Sequence, residues 1–358
     1  MSVNKLPTRV EKSITNLVKE EEYLTYDVVA EKIATNGSNY LGELYEVDVK
    51  GKTKDQDKIT NLFLKVNNGG DSTKQIFINE LYQIELFAYK QLSKVFAELQ
   101  EDANVPSSER YKFVTSYEES SQQVIILENI ARTGFETYHR KDVVPLDFAE
   151  MSMKKLAKLH GLSFALQQKR PDYFDKTIKG MKYPVIYCDD WSEFVKSMIN
   201  ITMVYIDDSV KSRVEELDYF FQDGKITDSM VVDYQFVHYG CPAMDVIYFF
   251  FISTDHNFRS AHMPHLKNVY HETLSTFLKY FNLDANSIYP RDMFERDFKA
   301  KLCYGLTIGF TFVPLTLVNE DDVPDVTGDY SGMSFQVDDK YRDRQQGMID
   351  EFIKWGYL

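Results

Sequence analysis

Three charged residues stand in patterns that could carry chemistry: Lys65, Asp233 and Asp245. Met230, Val231 and Val232 form a short apolar run that stops at Asp233, the pattern of a buried strand ending in a carboxylate. Gly240 and Pro242 punctuate the loop that follows. Asp245 then opens an aromatic helical run from Val246 to Ile252, where an N-terminal acid also suits the helix dipole. Lys65 interrupts the apolar run Leu62–Val66, and an unpaired ammonium in a buried strand is costly to desolvate. It needs an anion, and the following helical stripe offers Glu85 and Glu80. The plainer alternatives are a core strand with one hydrogen-bonded acid at Asp233, and a Lys65 that snorkels at a strand edge beside a solvated Glu85.

The elements that must position these groups follow from periodicity. Val10, Ile14, Leu17 and Val18 predict an amphipathic start within residues 9–34. Leu44, Val47 and Val49 alternate as a strand, with a turn expected at Gly51. Phe77, Leu81, Ile84, Ala88, Leu92, Val95 and Leu99 recur every three or four residues, which predicts one long helix. Gln123–Leu127 reads as a buried strand that Glu128, Asn129 and Ile130 leave. Pro145 to Gln168 reads as a helix with Ala149, Met153, Leu156, His160 and Phe164 inward, and apolar neighbours make His160 a packed core histidine rather than a base. Trp191–Leu217 predicts one or two helices with Phe194, Met198, Ile201, Val204 and Tyr205 facing in. Beyond it come a helix lined by Leu266, Tyr270, Thr273, Phe277 and Phe281 after Arg259, and an apolar helix from Phe298 to Val318 that Pro314 kinks or ends. An acidic loop over Glu320–Asp339 and a terminal helix marked by Tyr341, Gln345, Met348, Phe352 and Trp355 complete the chain.

Composition bounds the class. The 358 residues, 44% hydrophobic and 27% charged, are ordinary globular material, long enough for two domains or two lobes. A net charge of -14 argues against nucleic acid or an anionic membrane as partner, though a few local cations and a bound metal can still accommodate a nucleotide. Cys188, Cys241 and Cys303 lie far apart, which fits a reducing compartment and no structural zinc. With no apolar h-region in MSVNKLPTRVEKS and no apolar run long enough to span a bilayer, a cytoplasmic protein is expected.

Several separated motifs carry a resemblance to a known family. VVDYQ followed by GCPAMDVIYFFFIS resembles the ecdysteroid-kinase-like (choline-kinase-like) family of small-molecule kinases, whose usual text is a DFQ and then a DL helix. IELFAY resembles that family's glutamate-Ile-x-x-Tyr segment, VIILENIARTGFETYHR its hinge, and KLAKLHGLSFAL its LA-x-x-H helix. The resemblance runs from about Asn36 to about Asp325. It implies an α+β, two-lobed protein-kinase-like fold of the aminoglycoside phosphotransferase and choline kinase type. The N-lobe would cover 1–127 and a helix-rich C-lobe 128–358. Such a protein transfers the γ-phosphate of ATP to a hydroxyl of a small lipophilic alcohol, a steroid such as an ecdysteroid being what the family suggests. By resemblance, Lys65 contacts the phosphates and Glu85 orients it, while Gly37, Ser38 and Asn39 lie in the loop over them. On the residues alone, that loop reads equally well as an ordinary hairpin. The backbone of Glu128 to Ile130 would hold adenine, Asp233 would ligate Mg²⁺, and Asp245 would brace the loop.

One segment departs from the pattern. The family's catalytic His-Gly-Asp, a Trp or similar residue and an Asn should precede VVDYQ by one β-hairpin. Here EELDYFFQDGKITDSMVVDYQ runs from a helix almost directly into the strand, with no His-Gly-Asp and no Asn between Ile201 and Asp233. His160-Gly161 is not a substitute, because Leu162 follows. Tyr219–Gln222 and Ser229–Tyr234 can pair across an Asp223–Gly224 turn, the second half of a region whose first half is missing between about Asp218 and Gln222. No catalytic base is therefore assigned. A nucleotide- or ligand-binding pseudokinase and a lipophile carrier that uses the aromatic C-lobe stand as the alternatives.

Overall fold

In the computed structural model the described residues are 6–35, 40–68, 73–181, 189–215, 234, 238–324 and 333–358. The chain forms two compact units. One comprises Met1–Ala97, Lys112–Thr137 and the 232–236 segment, of which Tyr234 is described; the other comprises Glu98–Tyr111, Tyr138–Val231 and Val237–Leu358.

The first unit is a four-stranded antiparallel sheet: β1 (Thr25–Lys32), β2 (Glu43–Lys52), β3 (Asp57–Val66) and β4 (Val124–Glu128), adjacent in that order. Strand alternation gives it two apolar faces. Val47, Val49, Leu62, Leu64, Val124 and Ile126 point to one face, where Val10, Ile14, Leu17 and Val18 of helix α1 (Thr8–Glu20) cover them. Ile125 and Leu127 point to the other, against Ile78 and Tyr82 of α2 (Thr73–Phe87). The long helix expected from Phe77 is α2, a π turn at Ala88–Leu92, and α3 (Ser93–Asp102).

Two features of this sheet differ from the expectation. Strand β1 was not legible, because Ala30 is its single buried residue and an exposed edge strand carries no apolar alternation. Gly51 does not begin a turn: β2 continues to Lys52, which pairs with Thr25, and the chain reverses at Thr53–Gln56. The glycine is needed for proximity. A Cβ at position 51 would overlap the Thr25 carbonyl oxygen and stand 2.8 Å from the Tyr26 Cα.

The second unit is helical. Its helices include α4 (Leu146–Lys169), α5 (Asp189–Met203), α6 (Asp208–Glu215), α7 (Pro242–Ser253), α8 (His256–Tyr280), α9 (Arg291–Lys301), α10 (Tyr304–Thr311) and α11 (Lys340–Trp355). Pro145 caps α4, where its fixed φ and missing N–H cost nothing. Helix α4 packs along α8. Phe194, Met198 and Ile201 of α5 are buried, but the helix stops at Met203 and leaves Val204 74% exposed, with Ile206 buried instead. The apolar stretch from Phe298 to Val318 is not one helix. It breaks at Leu302–Cys303 and again at Phe312, and Pro314 lies in the first turn of a last short piece, Val313–Thr316. Arg259 lies inside α8, not before it, with its guanidinium buried against Glu351 of α11 at 2.5 Å. Most of the expected 219–234 hairpin and residues 325–332 of the acidic loop lie outside the described residues. No described helix is long and apolar enough to cross a membrane.

Candidate nucleotide site

Lys65 occupies the interior of the sheet, opposite Leu44 of β2 and Ile125 of β4. Of its two candidate partners, Glu85 of α2 stands 3.0 Å away, Nζ to Oε2. The side chains are only 6% and 3% exposed, so this ion pair is held in a low-dielectric interior. Three residues before Glu85, and hence on the same helix face, Tyr82 places its ring 5.8 Å from the Lys65 ammonium. The Tyr82 hydroxyl donates to the Leu41 carbonyl at 3.3 Å. Gly42 follows at φ +91°, where a Cβ would overlap both Val66 O and Tyr82 Oη. Tyr82 thus links the ion pair to the C-terminal end of the β1–β2 loop, which Ile33 N–H closes by donating to Leu44 O at 2.9 Å. Gly37, Ser38 and Asn39 belong to that loop and lie outside the described residues.

The end of β4 is locked by Asn129 together with Asn61, Thr115, Glu46 and Arg132, of which the sequence singled out only Asn129. Asn129 N–H donates to Asn61 O at 3.0 Å, which continues the ladder to β3. In an antiparallel pair the neighbouring residue then faces the other way. Glu128 accordingly turns its N–H and C=O away from β3, and the N–H donates to Thr115 O at 2.9 Å. Asn129 Oδ1 accepts from Ala131 N–H at 3.2 Å and caps the short helical turn Ile130–Thr133, while its Nδ2 donates to Glu46 at 3.1 Å. Arg132 donates to the same Glu46 carboxylate at 3.1 Å. An Asn before a helical turn is a recognisable cap, but its pairing with β2 required the folded sheet. Ile130 opens that turn, where a backbone N–H has no partner within the turn. Glu128 and Ile130, the positions the family resemblance assigns to adenine, thus flank the Asn129 cap at the end of β4.

Asp233 lies outside the described residues. The residue after it, Tyr234, stacks on Phe113 at 4.7 Å and meets Tyr89 edge-on at 5.2 Å. Among the described residues, no group of three or more His, Cys, Asp or Glu converges as a metal site.

In the helical unit Asp245 sits in the first turn of α7, buried, with Oδ2 2.7 Å from His160 Nε2. His160 Nδ1 is 2.7 Å from the Tyr270 hydroxyl. Burial, followed by the nearby Asp245 charge, pushes the Tyr270 phenol well above its ordinary range, so it keeps its proton. The arrangement in which Tyr270 O–H donates to Nδ1 and Nε2–H donates to Asp245 satisfies both ring nitrogens. His160 is thus a hydrogen-bonded core histidine that ties α4 to α7 and α8.

A four-stranded sheet with a buried strand-lysine to helix-glutamate pair, followed in sequence by a helix-rich unit, defines a kinase-like protein. A profile of the ecdysteroid kinase-like family matches the chain in two segments, residues 36–223 and 219–283, together most of its length. The chain belongs to that family. No curated protein and no solved structure matches it.

Proposed function

We propose that the protein binds Mg·ATP through its N-terminal unit, as a member of a family that phosphorylates a hydroxyl of small lipophilic alcohols. We further propose that phosphoryl transfer by this form is very slow or absent. The observation that carries the nucleotide reading is the buried Lys65–Glu85 pair at 3.0 Å. In kinase folds this pair fixes an ammonium against the nucleotide phosphates. Glu85 holds Lys65 in place, the Glu128 carbonyl and Ile130 N–H take the adenine edge, and the loop of Gly37, Ser38 and Asn39 covers the phosphates. Bound Mg·ATP would supply the phosphoryl group and the cation that offsets its charge, with Asp233 as the metal ligand and Asp245 as support to the loop. The acceptor would be a small alcohol such as an ecdysteroid.

The reading of low activity is supported by the absence of His-Gly-Asp and of any Asn from Ile201 to Asp233. It is also supported by the family match falling into two segments that overlap at residues 219–223, where the pattern breaks. Loss of a general base costs about 10²–10⁴-fold in rate.

The test is a thermal-shift titration with ATP and Mg²⁺. The wild-type melting temperature is expected to rise. The double variant Lys65→Met/Glu85→Leu, which removes the ammonium without stranding its partner, is expected not to respond. Equal rises in both proteins would remove the nucleotide reading.

A further inference from the structure

Helix α11 buries a guanidinium that the fold leaves unsatisfied. Arg344 is 7% exposed, and neither Nη1 nor Nη2 has a hydrogen-bond partner. Burying such an ion with its hydrogen-bonding groups unmatched is costly. Burial and the neighbouring Arg259 both pull its pKa down, to about 10, against the opposing pull of Asp255 and Asp142. Both Nη groups of Arg344 thus lack a hydrogen bond, although Asp255 and Asp142 act on its charge from nearby.

It lines a cavity of about 480 Å³ in the helical unit. The other walls include Lys141, Lys340 and Gly347, and His256 and Asn257 at the start of α8. Lys340 is committed to Asp142 at 2.8 Å, and Lys141 to Asp338 at 3.2 Å. Asp255 spends its carboxylate on the Phe258 N–H at 2.8 Å, which leaves the first two N–H groups of α8 without a partner inside the helix. Helix α8 is 25 residues long, so its N-terminus favours negative charge. His256 Nδ1 is also buried without a partner, and it lies where any Cβ at Gly347 would overlap it. Asp343 and Asp350 line the same cavity from exposed positions and oppose a highly charged polyanion. The volume falls within the range of about 300–1,000 Å³ typical of small-molecule sites, so there is room for an organic body behind a charged head.

We propose that this cavity binds a small oxyanion, a carboxylate or phosphate head group gripped by the two free nitrogens of Arg344 and the N-terminus of α8. The site shares no residue with the nucleotide site around Lys65. Arg344 and the rest of α11 also lie beyond residues 36–283 matched by the family profile. A planar guanidinium fork takes either head group through two parallel hydrogen bonds, which a lysine ammonium cannot reproduce.

The probes are inorganic phosphate and acetate, each compared with chloride at matched ionic strength, read by thermal shift and, for phosphate, by ³¹P line broadening. Wild type is expected to gain melting temperature with at least one of them. A response to phosphate alone assigns a phosphate ester, and one to acetate alone a carboxylate. The rise should persist in Lys65→Met/Glu85→Leu and vanish in Arg344→Met. Arg344→Lys should bind about tenfold more weakly. Without added anion, Arg344→Met should melt at or above wild type, because an unmatched buried charge has been removed. If neither probe shifts the wild type, or if the shift survives intact in Arg344→Met, the proposal fails. Should Arg344→Met not fold, undiminished affinity for both anions in folded Arg344→Lys overturns it equally.

Discussion

At the scale of single residues, the Lys65–Glu85 pair is better explained by positioning than by stability. Burying two opposite charges roughly breaks even, but removing one partner strands the other and costs about 3–5 kcal/mol. Lys65→Met and Glu85→Leu are each expected to lower the unfolding free energy by about that much, and the double variant by far less than the sum. Urea denaturation of the four proteins measures this, and additive losses would mean the pair is not coupled. Sequence placed Lys65 in a strand and two acids on the following helix, but the choice of Glu85 depended on how α2 lies across the sheet.

At the scale of elements, two junctions make separate demands. Strand β1 buries little besides Ala30 and relies on its ladder to β2, which passes Gly51 so closely that a Cβ would overlap the Thr25 carbonyl oxygen. Gly51→Ala should therefore push β1 off the sheet edge and cost about 1–3 kcal/mol. Amide exchange should quicken at residues 28–30 before anywhere else in the sheet. The second junction is the entry to α11. Asp338 accepts from the Lys340 backbone N–H at 3.0 Å and pairs with Lys141 at 3.2 Å, and these partners, the backbone one first, hold its carboxyl below the ordinary 3.8. A depressed folded pKa means that the unfolded chain takes up the proton first as pH falls. The stabilisation is thus complete above about pH 4 and is lost as the pH drops through the lowered folded value. Asp338→Asn should melt lower than wild type by a constant margin at neutral pH, and the two melting curves should converge as the pH falls below about 4.

At the scale of the whole molecule, the chain divides into two compact units, and the two segments of the family match overlap at residues 219–223. Gradual decay of a catalytic site would substitute residues and leave lengths intact. An abrupt join between family-like stretches instead fits the loss of one contiguous segment, as from a skipped exon. A longer message is expected that carries His-Gly-Asp and Asn between the codons for Asp218 and Gln222. Its product should transfer phosphate from radiolabelled ATP at about 1–100 s⁻¹, ordinary for kinases. The present form should fall about 10²–10⁴-fold below it. Full-length transcript sequencing across the join decides the matter, and uninterrupted coding sequence with no longer message would rule it out.

What could be read without the fold was whatever spacing alone determines. The stripe Val10, Ile14, Leu17 and Val18 can be covered on one side of a helix only, and the short runs Leu62–Val66 and Gln123–Leu127, bounded by polar residues, read as buried strands. Motif order along the chain carried the family, since each motif is local. Contacts between distant segments were decided by tertiary structure. Periodicity could not reveal β1, whose register is set by β2 rather than by its own side chains. Nor could it break the apolar stretch after Phe298 into three pieces, because uniformly apolar text has no polar face to mark where a helix stops. The stranded guanidinium of Arg344 was equally invisible. An arginine in an amphipathic helix reads as solvated until neighbouring helices close over it, and only then does the lack of a partner become an observation.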